Sequence, residues 1–288
     1  MKIGFNMLLW GPAITIAHRR LFEELKAAGY DGVEIPVIVG EMREYQALAA
    51  MIDDIGLERT SLTVLPHGGN PLSDSAVKRH AGLDHMRWAL DCSAAMGSKL
   101  LVGPIHQTLG EFTGQPPSQI EFERACAFHR AAGNLAAERG VCIAIEAMNR
   151  FEAYFLNTMA QLVAYLDTVD HAAVTGMFDS FHANIEELDP AGAIEASFQR
   201  LAHVHISEND RGVPGRGHTP WRAIFAALRR SGYDGWLTIE AFGRSSPDFA
   251  AKTCVWREFA PDPAVIYKEG FDFIRSSWRS SADNCSFA

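Results

Sequence analysis

The sequence predicts a closed (β/α)8 barrel, and three observations carry that prediction. Eight short apolar runs alternate with amphipathic stretches at a spacing of roughly 30 residues, the rhythm of parallel strands joined by helical crossovers. No GxGxxG follows the first run, so a closed barrel is preferred to an open doubly wound sheet. The length of 288 residues suits a fold that takes roughly 250 residues and buries enough surface to need no disulfide staples.

The elements follow in order. KIGFNML (2–8) is the first apolar run, and a helical stretch near 17–28 follows it. GVEIPV (32–37) precedes a helix near 42–56, and ERTSLTVL (58–65) precedes one near 75–96. SKLLVG (98–103) leads to 119–139, and VCIAIE (141–146) leads to 158–168. VTGMFD (174–179) is paired with 189–199, LAHVHIS (201–207) with 219–231, and GWLTIE (235–240) with a helix after 263. The loops at 66–74, 104–118 and 207–218 are long and polar. Each follows a strand, which places it on the face where barrel active sites are built. No Pro/Ser-rich or charge-block linker divides the chain, so one domain over 1–288 is expected, with a weakly ordered tail at about 280–288.

Composition narrows the function classes. The formal charge of -9, without a Lys/Arg run, argues against a nucleic-acid partner. No segment approaches the roughly 18 apolar residues of a membrane span, and MKIGFNMLLW is a poor signal peptide. Cys92, Cys126, Cys142, Cys254 and Cys285 are odd in number and form no CxxC pair, which suits a reducing compartment and no cysteine zinc site. A cytoplasmic protein with no membrane partner is expected.

The chemistry lies where the last four strands end, at Glu146, Asp179, His205 and Glu240. Side chains alternate along a strand, so Glu146 shares its face with Ala144, Asp179 with Met177, His205 with His203, and Glu240 with Thr238. The opposite faces carry Ile143 and Ile145, Phe178, Val204 and Ile206, and Leu237 and Ile239. Those aliphatic faces belong against the helices, so three carboxylates and one imidazole converge on one rim. Such carboxylates repel unless a cation compensates them. Their mostly hard donors suit Mn2+ or Mg2+. His203, one layer deeper, reads as a core or supporting histidine.

EAMNRFE (146–152), FDSFHANIEE (178–187), HISENDR (205–211) and IEAFG (239–243) resemble the ketose 3-epimerases, the D-tagatose/D-psicose (D-allulose) and L-ribulose 3-epimerase group of the xylose isomerase-like barrels. The likeness is strongest across 140–243 and weaker before it. It implies a metal-dependent isomerase, an epimerase acting at C3 of a free ketose through a cis-enediolate. Glu146, Asp179, His205 and Glu240 would bind the metal, usually Mn2+, with Mg2+ or Co2+ also compatible. Glu146 and Glu240 would be the catalytic acid and base on opposite faces of the sugar. Glu152, His182 and Arg211 would hold its C1–C2 end, and a homodimer or homotetramer is implied. Glu34, ending GVEIP, would be a further active-site acid that orders Glu240 or the sugar, or a structural residue.

The chain departs from that group at Asn6, where an aromatic is expected, and in GPIHQTLGEF (103–112), which lacks a Trp. A more polar pocket built from Asn6, His67, His106 or Gln107 would select a different ketose. Other readings keep the barrel and metal but move the proton between C1 and C2, as in an aldose–ketose or hydroxypyruvate-type isomerase, or dehydrate a keto-inositol. A DNA-repair endonuclease would need more histidines and a basic groove, and a structural metal protein leaves the ionisable rim unexplained. Trp88 and Phe128 read as exposed aromatics, facing either a partner subunit or the barrel itself.

Overall fold

The computed structural model describes residues 1–283. Its strands are β1 (Lys2–Asn6), β2 (Gly32–Pro36), β3 (Glu58–Leu62), β4 (Leu100–Gly103), β5 (Cys142–Glu146), β6 (Val174–Asp179), β7 (Leu201–Ile206) and β8 (Trp236–Ile239). They close in sequence order into a parallel barrel, with β1 beside β8. Around them run α1 (Arg19–Ala28), α2 (Met42–Ile55), α3 (Ala76–Met96), α4 (Gln119–Glu138) and α5 (Met159–Val169). α6 (Ser180–Glu186), α7 (Pro190–Ser197), α8 (Trp221–Arg230), α9 (Pro247–Lys252) and α10 (Pro263–Asp283) complete the outer layer.

Alternation along the strands builds two apolar layers. Ile143, Ile145, Phe178, Val204, Ile206, Leu237 and Ile239 point outward and pack with helix residues such as Leu162, Ile224, Leu228 and Ile274. Burying each such side chain contributes about 1.5–3 kcal/mol. Inside the barrel a smaller cluster contains Leu62, Val102, Ala144 and Met177, joined by Leu8 and Phe242. The remaining interior is polar, with Asn6, Glu34, Thr60, His203 and Thr238 all buried. Parallel register sets these polar groups in rows: Asn6 opposite Glu34, Glu34 opposite Thr60, and Asp179 opposite His205.

Several elements differ from expectation. β1 stops at Asn6 rather than residue 8, because the Asn6 side chain accepts a hydrogen bond from Leu8 N–H (2.8 Å) and caps a short 3-10 turn over Met7–Leu9. α6 was not expected. Asp179 ends β6 and at once caps that helix, its Oδ1 accepting from Phe181 N–H (2.6 Å) and His182 N–H (3.1 Å). α9 is likewise an addition, within the excursion between β8 and α10. Phe128 is buried in the helix layer of its own chain, and Trp88 lies partly buried beside the rings of Tyr45 and His85. The tail expected to be weakly ordered is helical through Asp283, and 284–288 lie outside the described residues. Cys92, Cys126, Cys142 and Cys254 are free thiols, while Cys285 lies outside the described residues. Among the described residues no helix is long and apolar enough to cross a membrane.

Candidate metal centre and active site

The ends of β5, β6 and β7, and the first residue after β8, bring Glu146, Asp179, His205 and Glu240 together. One donor atom from each lies within 4.8 Å of the others, and all four residues are buried. His205 Nδ1 is 3.4 Å from Asp179 Oδ2, 3.6 Å from Glu240 Oε2 and 4.0 Å from Glu146 Oε1. Burial, and then the neighbouring Glu240 and Asp179, push the Glu146 carboxyl well above the usual carboxylate range. Glu146 Oε1 and His205 Nδ1 are buried without a hydrogen-bond partner. A shortage of positive charge, two orphaned donor atoms and three carboxylates against one imidazole fit a hard divalent cation.

Glu34 sits directly behind His205. Its Oε1 accepts from His205 Nε2 (2.7 Å) and Asn6 Nδ2 (2.9 Å), and its Oε2 accepts from Thr60 Oγ1 (2.8 Å). His203 Nε2 is 3.0 Å from that second oxygen. Burial alone would raise the Glu34 pKa, but His205 and His203 outweigh it and hold the carboxyl ionised. A carboxylate on Nε2 fixes the ring so that Nδ1 faces the acidic cluster, the usual support of a metal-binding histidine. Burial pulls the His205 imidazole down, yet Glu240 and Glu34 hold it well above its ordinary range.

Arg211 lies across the rim with its backbone in the left-handed region at φ 62°. Its Nη1 donates to Asp179 Oδ2 (3.2 Å), Ser207 Oγ (3.1 Å) and Glu240 Oε2. Its guanidinium is sandwiched between Phe181 (4.1 Å) and Phe242 (4.7 Å). His182 accepts at Nδ1 from Asn149 N–H (3.1 Å), and its other ring nitrogen, Nε2, faces Glu146 and Arg211. That Nε2 is 3.6 Å from Glu146 Oε1 and 3.0 Å from Arg211 Nη2. Burial keeps the His182 ring below its ordinary pKa despite the nearby Asp179. Glu152 accepts from Asn149 Nδ2 (2.7 Å), and its charge is felt by both His182 and Arg211.

The residues expected to form a polar pocket separate here. Asn6 is buried and bridges Glu34 and Glu240 Oε1 (3.3 Å). His106 is buried beside Phe155, with no hydrogen-bond partner at either ring nitrogen. Burial, and then His129 and His182, push its pKa down to about 3. Gln107 does not serve the pocket. Its Oε1 accepts from the Tyr154 and Phe155 N–H groups (both 3.0 Å) and its Nε2 donates to Glu111 O (3.1 Å), so it laces the loops after β4 and β5 together. His67 is exposed in the turn at 67–68. Asn149, Ser207, Phe181 and Phe242 were not singled out from sequence, although each stands within or beside one of the four motif strings.

Comparison with known proteins gives a consistent result. The xylose isomerase-like TIM barrel family matches residues 22–277. A probable ketose 3-epimerase of Synechocystis sp. is 28% identical over 98% of this chain and 98% of its own. A solved L-ribulose 3-epimerase superposes with a TM-score of 0.93 at 26% identity, over 99% of this chain and 97% of its own. A D-allulose 3-epimerase from Methylomonas sp., solved in complex with D-allulose, gives 0.89 at 27% identity over 96% and 97%.

Proposed function

This chain belongs to the xylose isomerase-like TIM barrel family, and we propose that it is a divalent-metal-dependent ketose 3-epimerase acting on a free ketopentose or ketohexose. The observation that carries this reading is the pair Glu146 and Glu240, on β5 and just beyond β8, with one oxygen of each within 4.8 Å of the other in one buried cluster. The likeness to 3-epimerases at 26–28% identity over nearly the whole chain supports it.

Epimerisation at C3 needs a proton removed from one face of the carbon and another delivered to the opposite face. The adjacent C2 carbonyl acidifies that proton. Glu146 and Glu240 are the proposed base and acid, exchanging roles with direction. Glu146, Asp179, His205 and Glu240 would hold a divalent cation, with Mn2+ the proposed ion, and that cation would supply Lewis acidity at the C2 end of the sugar. His182 Nε2 and the Arg211 guanidinium are the proposed partners of oxygens at the C1–C2 end, the guanidinium as donor. Glu152, tied through Asn149 to His182, orders that end of the pocket. Asn6 acts from behind, bridging Glu34 and Glu240, and His106 stands as a neutral group beside the site. We further propose one domain working in the cytoplasm as a homodimer or homotetramer, which sedimentation measures.

The test is exchange in D2O. Mn2+-loaded protein incubated with ketopentoses and ketohexoses is expected to incorporate deuterium at C3 and yield the C3 epimer, followed by NMR. Glu146→Gln and Glu240→Gln are each expected to lose about 100-fold or more of that rate. Label at C1 or C2 with an aldose product would move the assignment to a 1,2-isomerase.

A further inference from the structure

The loop between β7 and α8 carries Arg211, and its conformation is organised around one carboxylate outside the acidic cluster. Glu208 is fully buried and accepts five hydrogen bonds. Its Oε1 takes Asn209 N–H (3.0 Å), Thr219 N–H (3.1 Å) and Thr219 Oγ1–H (2.6 Å). Its Oε2 takes Gly215 N–H (2.8 Å) and Trp221 Nε1–H (2.8 Å). The backbone N–H of Arg211 donates to Glu208 O (2.9 Å), and Phe242 N–H donates to Arg211 O (3.0 Å). Gly217 lets the loop return over this carboxylate, since a Cβ there would meet Asn209 Oδ1 at 1.9 Å and Glu208 Oε1 at 2.5 Å. Arg211 holds a left-handed backbone, which a non-glycine residue keeps only when its surroundings impose it.

We propose that Glu208 is a positioning residue whose carboxylate gathers both ends of this loop and thereby aims Arg211 at the substrate-binding rim. The inference rests on the epimerase reading for its kinetic consequence. A glutamine at 208 has the right shape, but its amide must point an N–H at groups that are themselves N–H donors, so the loop loosens while all four proposed metal-donor side chains remain in place.

The test is a double-mutant cycle with Glu208→Gln and Arg211→Met, using the fastest ketose. Glu208→Gln is expected to lower kcat/KM by about 10- to 100-fold, as a small misplacement of a binding group does, while the protein still binds Mn2+ by calorimetry. In the Arg211→Met background the same substitution is expected to have almost no further effect. An equal loss in both backgrounds, or no loss in either, overturns the proposal. Thr219→Val removes one of the five donors and serves if Glu208→Gln does not fold. It should show a smaller loss that also vanishes without Arg211. Wild-type protein that turns over no ketose sinks the epimerase reading alone. Tryptic cleavage after Arg216 then decides this inference: faster cleavage in Glu208→Gln than in wild type supports it, and equal rates overturn it.

Discussion

Removing the carboxylate behind His205 should weaken metal binding without touching any of the four proposed donors. Glu34 is fully buried and receives His205 Nε2 at 2.7 Å, together with Asn6 and Thr60. Glu34→Ala leaves those donors unpaired and frees the imidazole to rotate or change tautomer. Loss of such a support typically costs about 10- to 100-fold in metal affinity, which is about 1.4–2.8 kcal/mol. Glu34→Gln is the informative control. Its carbonyl can face His205 and Asn6, which must donate, while its amide can face the Thr60 hydroxyl and His203, which can accept. The tautomer is then kept and only the charge assistance is lost, about 1 kcal/mol or on the order of fivefold. Titrating Mn2+ into chelator-treated protein by calorimetry, with circular dichroism to establish folding, should rank dissociation constants as wild type, then Gln, then Ala. A folded alanine variant that binds Mn2+ within about twofold of wild type would refute the reasoning, because His205 would then need no support from Glu34.

Other outcomes follow from the same geometry. His106 has a folded pKa of about 3 against 6.5 in the unfolded chain, so the unfolded state alone binds its proton between those values. Stability must therefore fall as pH drops below 6.5, and His106→Asn should reduce the slope by about 1.4 kcal/mol per pH unit in urea unfolding between pH 6 and 4. Arg211→Lys keeps the charge but loses the planar fork held between Phe181 and Phe242; kcat/KM is expected to fall about 100-fold in initial-rate assays. Gly103 has φ +134°, and a Cβ there would sit 2.2 Å from Thr63 O. Gly103→Ala should destabilise the fold by about 2 kcal/mol or more, lowering the thermal midpoint by about 3 °C or more.

The barrel was legible because its periodicities are local. The outward faces of β5 to β8 read directly as aliphatic residues at every second position, and the structure buries them against the helices. The convergence of four ionisable groups was legible for the same reason, as a matching position on four consecutive strands. What escaped depends on short-range capping or on distance across the barrel. β1 ends early because a side-chain oxygen of Asn6 competes for the backbone at Leu8. α6 was hidden because Asp179 is both the end of a strand and the cap of a helix, so no loop separates the two. The contact between Glu34 and His205 joins residues 171 positions apart, and no sequence window contains both. Gln107 was read as a pocket group because its polarity is visible in sequence while its partners, Tyr154 and Phe155, are not.

The lacing of Asn6, Glu34 and Thr60 to His205 and Glu240 has a bearing on how this barrel can change over time. Every proposed donor to the metal comes from the C-terminal half, yet the groups that orient His205 come from β1, β2 and β3, and Asn6 of β1 also reaches Glu240. Neither half is a self-sufficient module: a fragment beginning at β5 would inherit all four donors with a histidine free to present the wrong nitrogen. A drift in the first three strands, remote in sequence from the chemistry, would be felt as altered metal affinity.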